Sequence, residues 1–276
     1  VEESLAAWGI RFASAASTDP SARHPAAARA AIAPHAGWIF SGRLAARSVA
    51  ALVDAQTVAV IGGHLPPSAA PLVATEDAFD TPLGPLEADG ELRSALEAAL
   101  AAAAGDRLGR RAVLRPDDVA DNTVEVQLPL VKARFPAARL VWLRAPNGPA
   151  ALTLGSALAA AAASLGRSVA CLGSTDLTHY GPAYGFSPKG RGSAAESWVR
   201  EVNDRGLIEA LLALDPAEVL RRGEEEGSAC SSGAAAAALS FALASGAKRA
   251  ELLGYATSLE VHSDSSFVGY AAVGWY

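Results

Sequence analysis

The sequence contains no methionine, and in 276 residues it has two cysteines and three lysines. The cysteines, Cys171 and Cys230, are too few for a disulfide framework and point to a reducing, cytoplasmic setting. The lysines, Lys132, Lys189 and Lys248, are scattered, and no basic run occurs. With a net charge of −6, this argues against nucleic acid or an anionic membrane as partner. Val1–Ile10 has two acidic residues and no apolar centre, so it does not read as a signal peptide. Two long stretches lack charge, Ala145–Gly166 and Ser231–Ala247. Both are mostly Ala, Gly, Ser and Thr, too weakly apolar for a membrane span, and they read as buried helices. The absence of methionine has no functional explanation in the sequence.

What is present is a large apolar complement. The hydrophobic fraction of 51% against 19% charged residues excludes a disordered chain. Short apolar runs alternate with helical segments. Ala30–Ala33, Thr57–Ile61, Pro71–Thr75, Arg139–Leu143 and Ser168–Leu172 read as strands. Helices are expected over Gly42–Val53, from an Asp89 cap to Ala104 with Gly105 as its stop, and over Asp121–Arg134 with Pro129 as a kink. Others follow an Asn147 cap and Pro149 to Leu165, and cover Gly192–Leu214 and Ser231–Ala244, with a short one after Asp215-Pro216. Ala250–Tyr255 and Ser266–Trp275 close the pattern as two strands around a turn. The alternation predicts a single-domain (1–276) three-layer α/β/α sandwich, with a mostly parallel central sheet and a C-terminal antiparallel strand pair.

In such sheets ligands bind beyond the carboxyl ends of the strands. Of the five histidines, His35 follows the first strand, His64 follows TVAVI, and His179, with Asp176, follows SVACL. Imidazoles after three strands fit metal ligation or acid/base chemistry, or else hydrogen-bonded structural turns. Asp176 and His179, three apart, can converge so that the carboxylate sets the imidazole tautomer; alternatively Asp176 caps a helix. Cys230 opens a helix in GSACSSG, where a thiolate is stabilised for ligation or attack; a small buried residue is the plainer reading. Cys171, inside an apolar strand, reads as core. In DNTVEVQLP (Asp121–Pro129), Asn122, Glu125 and Pro129 fall on nearly one helix face, either lining a site or facing solvent. His24 receives no role, and His262 and Asp264 lie in the final turn. Phosphate-loop, nucleophile-elbow, H-E-x-x-H and C-x-x-C patterns are absent, and Gly190-Arg191-Gly192 follows no strand, which removes it as a dinucleotide fingerprint.

The residues Pro34–Gly42, PHAGWIFSG, resemble the PHAGY-x-YSG signature of the Memo family, also called AmmeMemoRadiSam system protein B. The glycine-led His64 loop, the Asp121–Pro129 segment, the S-x-D-x-x-H-x-G turn of Ser174–Gly181 and the C-x-x-G-A start at Cys230 follow in the family's order. The final DSSFVGYAAVGW is similar to the family's last strand, so the resemblance runs from about residue 28 onward. It implies a fold like that of the class III extradiol dioxygenases, with metal ligands at His35, His64 and Cys230 and an acid/base pair of His179 and Asp176. The sequence departs from the pattern at Asn122, where His is usual, and at Leu65, where a polar loop residue is usual; both changes remove a polar partner.

Two imidazoles and a thiolate suit iron(II), the ion favoured here, and also copper or zinc. The resulting expectation is a non-haem iron, dioxygenase-like oxidoreductase. A non-catalytic protein that binds a peptide or small molecule in the same pocket and a zinc hydrolase with His179 as base are the alternatives.

Overall fold

The computed structural model describes residues 1–12, 27–104, 113–119 and 121–276. His24 and Gly105 lie outside the described residues. In chain order the elements are α1 (Glu2–Ala7), β1 (Ala30–Ala33), α2 (Trp38–Ala51), β2 (Thr57–Leu65), β3 (Leu72–Val73), β4 (Ala78–Phe79), β5 (Leu86–Glu87), α3 (Gly90–Ala104) and β6 (Arg115–Pro116). There follow α4 (Asn122–Glu125), α5 (Leu128–Arg134), β7 (Arg139–Pro146), α6 (Ala150–Ser164), β8 (Val169–Ser174) and β9 (His179–Tyr180). The remainder comprises α7 (Ser193–Trp198), a π-helical turn (Val199–Asn203), α8 (Asp204–Leu212), α9 (Pro216–Glu226), α10 (Ser232–Ala244), β10 (Ala250–Thr257) and β11 (Phe267–Trp275).

The sheet runs β10-β11-β1-β8-β2-β7-β3-β6, with β9 paired to β11. Its centre, β1-β8-β2-β7, is parallel throughout, and β10 and β11 form the expected antiparallel pair, Ala250 opposite Trp275. The central strands are apolar on both faces because both faces are covered. Alternate residues go to opposite sides. Ala30 and Ile32, Ala59 and Ile61, and Leu143 join one core with Leu96 of α3, Leu154 of α6 and the alanines of α10. Ala31 and Ala33, Val58 and Val60, and Leu140 join the other with Val49 of α2 and Val131 of α5. This is the three-layer arrangement that the sequence pattern predicts.

The uncharged segments are buried helices. In α10, Ser232 through Ala242 is buried without interruption, since the helix is wedged between the sheet and α6. Among the described residues no helix is long and apolar enough to cross a membrane.

Several boundaries differ from expectation. Helix α2 begins at Trp38, four residues early, with Ser41 Oγ donating to Ala36 O at 3.0 Å inside its first turn. β2 continues to Leu65, so Gly62, Gly63 and His64 belong to its end. The segment Asp121–Arg134 is two helices, and Pro129 sits in the first turn of α5, where its missing N–H costs nothing, instead of kinking a longer helix. The stretch Gly192–Leu214 is interrupted by the π-turn. Asp89 does cap α3, accepting from Leu92 N at 3.0 Å. Asn147 does not cap α6; its Oδ1 accepts from Gly233 N at 2.9 Å, and its Nδ2 donates to Cys230 O at 3.2 Å.

Candidate functional site

Strands β1, β8 and β2 are parallel neighbours, so their carboxyl ends open on one edge of the sheet. His35 lies just past β1, His64 ends β2, and Asp176 lies just past β8. Cys230 comes to the same edge immediately before Ser231, the residue that caps α10. The ligand-capable atoms of His35, His64 and Cys230 all lie within 4.8 Å of one another. Cys230 Sγ is 3.3 Å from His35 Nε2, and the two imidazole rings meet edge to face at 5.1 Å between centroids.

The close approach depends on local sequence. A side chain at Gly63 would collide with Ser231, so only glycine lets β2 pass the start of α10. His64 itself adopts φ 60°, the left-handed region that non-glycine residues seldom enter, a conformation that tends to gather at functional sites.

Asp176 is buried, and its Oδ1 accepts from the backbone N–H of His35 at 2.8 Å. Its Oδ2 lies 3.9 Å from His35 Nε2 and 3.7 Å from His179 Nε2. The His179 side chain is 32% exposed, yet its Nε2 is buried without a hydrogen-bond partner. The ring of Tyr184 packs edge-on against it at 4.8 Å between centroids.

Charges in this cluster reinforce one another. Burial opposes ionisation of Cys230, but His35, His179 and His64 outweigh it and hold the thiol well below its ordinary range. Burial likewise opposes protonation of His35, and the Cys230 thiolate and Asp176 reverse that effect, so His35 is raised. His64 is pushed up to about 10, chiefly by the Asp121 carboxylate and then by Cys230. In His179 the burial effect is overcome by Asp176 and Cys230, giving about 9.

The five residues singled out in the sequence, His35, His64, Asp176, His179 and Cys230, therefore lie together. Others do not join them. Asn122 and Glu125 are exposed on α4, while Thr123, Val124 and Gln127 of the opposite face are buried. His262 and Asp264 are exposed, and Asp264 accepts from Ser266 N within its own turn. Cys171 is fully buried, and desolvation pushes its thiol far up, as befits a core residue. Four neighbours were not singled out: Asp121, Gln127, Arg144 and Ser174. Asp121, Gln127 and Ser174 stand at fixed positions of the motifs that carry the resemblance, and Arg144 is marked as a charge completing the apolar run RLVWLR of β7.

The donor set fits one transition-metal ion. Nitrogen and sulfur ligands at about 2.0–2.3 Å from a tetrahedral ion stand roughly 3.5 Å apart. The Cys230–His35 separation already matches, and the 4.8 Å limit leaves a small closure for the third donor.

Fold and site together define an α/β/α protein with a histidine–cysteine cluster at the carboxyl edge of its parallel strands. A family model described as Memo-like protein matches residues 11–274, and the chain belongs to that family. It is 34% identical over 248 residues to a MEMO1 family protein of Methanosarcina barkeri, covering 88% of this chain and 84% of the relative. A MEMO1 family protein of Pyrococcus abyssi is 32% identical over 260 residues, covering 88% and 85%. Among solved structures, an uncharacterized protein from Escherichia coli K12 superposes with a TM-score of 0.56 at 16% identity, over 88% of this chain and 98% of that one, a likeness of fold.

Proposed function

We propose that this chain is a non-haem iron, dioxygenase-like oxidoreductase in which His35, His64 and Cys230 hold the ion. One observation carries the reading: three donor atoms from three separate chain segments lie within 4.8 Å of one another at the edge of the sheet where ligands bind. Three protein donors leave coordination positions open, as a reactive centre requires. When bound, the ion supplies a redox-active Lewis acid at those positions.

The chain's own residues then handle the proton. Asp176 is fixed by the backbone of His35 and turns its second oxygen toward His179, favouring a proton at His179 Nε2. The Asp176 carboxylate works against burial to favour the protonated ring of His179. It serves first as an acid and, once deprotonated, as a base. Its Nε2 is buried and faces Asp176 Oδ2 at 3.7 Å, while the ring itself is 32% exposed.

The test is elemental analysis of protein purified without oxygen, beside Cys230→Ser. Near one equivalent of iron in the parent and little in the variant is the expected result. Unchanged metal in the variant would remove Cys230 from the ligand set. Zinc at one equivalent would replace this reading with hydrolysis, and no metal after reconstitution would replace it with a binding protein.

A further inference from the structure

The segment Asp121–Gln127 has no role in the reading so far, yet its buried side reaches the His64 ring directly and the His35 ring through Ser174. Asp121 is 9% exposed at its side chain. Its Oδ1 caps α4, accepting from Thr123 N at 2.9 Å and from the Thr123 hydroxyl. Its Oδ2 lies 3.5 Å from His64 Nδ1 and 3.2 Å from Arg144 Nη2. The buried Arg144 also donates from Nε to Gly63 O at 3.1 Å and pairs with Asp117 at 3.2 Å. Thr123 Oγ1 accepts from Gly63 N at 3.2 Å, and Ser231 Oγ accepts from His64 N at 3.3 Å. The left-handed backbone of His64 is thus tied on both sides, and its ring is tied through Nδ1.

At the other end, Gln127 Nε2 donates to Pro34 O at 2.8 Å and to Ser174 Oγ at 3.1 Å. A carbonyl oxygen only accepts, which fixes the amide nitrogen of Gln127 on this side. Ser174 Oγ lies 3.3 Å from His35 Nδ1, with acceptor capacity left for the imidazole N–H.

We infer that Asp121–Gln127 is a two-armed brace, Asp121 acting on His64 and Gln127 through Ser174 on His35, that keeps Nδ1 protonated on both rings and presents both Nε2 atoms to one ion. This rests on the metal reading above. Carboxylates and other acceptors behind a metal-binding imidazole fix its tautomer and orientation, and their loss typically lowers metal affinity about 10–100-fold. Asp121, Gln127, Ser174 and Arg144 are positioning residues, since they act through the imidazoles.

The experiment titrates Co2+ into metal-free parent protein, Asp121→Asn, Asp121→Glu and Gln127→Ala, following the thiolate-to-metal absorption band. Asp121→Asn and Gln127→Ala are expected to bind about 10–100-fold more weakly while keeping the band, because Cys230 still ligates. Asp121→Glu should recover part of the loss. Asn122→Ala and Glu125→Ala, on the exposed face of the same segment, should match the parent. In the Zn2+-loaded parent, 15N NMR of the imidazoles should find both rings coordinated through Nε2 with Nδ1 protonated, a readout that needs no variant. Parental affinity in both Asp121→Asn and Gln127→Ala, or coordination through Nδ1 at either ring, would overturn the brace alone. A parent that binds neither Co2+ nor Zn2+ would overturn the metal reading and the brace with it.

Discussion

Replacing Gly155 by Ala is expected to lower the melting temperature by roughly 4–8 °C, a net loss of about 2 kcal/mol for a domain of this size. Two effects compete. Alanine is about 1 kcal/mol better than glycine in a helix interior, and Gly155 lies in the middle of α6. Against this, a methyl group at 155 would fall on the carbonyl oxygen of Ala237 and stand 2.9 Å from the backbone nitrogen of Phe241. Both obstacles are main chain of α10, which cannot rotate away as a side chain can. Overpacking of this kind typically costs about 1–3 kcal/mol and occasionally more; main-chain obstacles place this site at the upper end, so the clash wins. Thermal unfolding of the two proteins in one buffer decides the point. A variant as stable as the parent, or more so, would show that α6 and α10 are not packed at this distance.

The second large effect concerns pH. Asp204 is fully buried at the junction of the π-turn and α8. It accepts from Thr178 N at 3.0 Å, from Thr178 Oγ1 at 2.5 Å and from Tyr255 OH at 2.7 Å. Burial nevertheless dominates over these bonds and over the charge of Arg200, and its carboxyl is raised from 3.8 to about 6. Below pH 3.8 the carboxyl is protonated in the folded and the unfolded chain alike. As pH rises, the unfolded chain releases the proton first, so the native state loses stability up to about pH 6 and no further. The full difference is about 3 kcal/mol. Asp204→Asn keeps the shape and an acceptor for Thr178 while removing the titration. The stability of the parent relative to this variant should therefore fall by about 2.4 kcal/mol between pH 4 and 7, the rest of the difference lying below pH 4. Denaturant unfolding across that range measures it, and parallel curves would refute it.

The convergence of His35, His64 and Asp176 was legible because each follows a parallel strand, and the strands announce themselves as apolar runs. Cys230 was legible because small and polar residues mark the start of α10. The face of Asp121–Gln127 was not. Selecting Asn122, Glu125 and Pro129 assumes one continuous helix, but the chain breaks between α4 and α5, and the buried side is the other one. Asn147 reads locally as a cap for α6, and its actual partners, Gly233 and Cys230, lie 86 and 83 residues away. The hairpin β4–β5 consists of two-residue strands, too short for any periodicity to show. The π-turn at Val199–Asn203 violates the 3.6-residue repeat by which a helix is recognised.

The position of β1 bears on how the chain comes together during synthesis. Its two neighbours are β8, Val169–Ser174, and β11, Phe267–Trp275, so this strand, the first among the described residues, stays unpaired until much later segments have left the ribosome. His35 and Cys230 are separated by 195 residues and share this delay. Contacts so distant along the chain make for slow folding, because loop closure precedes any gain. The cluster of His35, His64 and Cys230 accordingly cannot form before the segment carrying Cys230 has been made, and until then the polypeptide holds only scattered imidazoles.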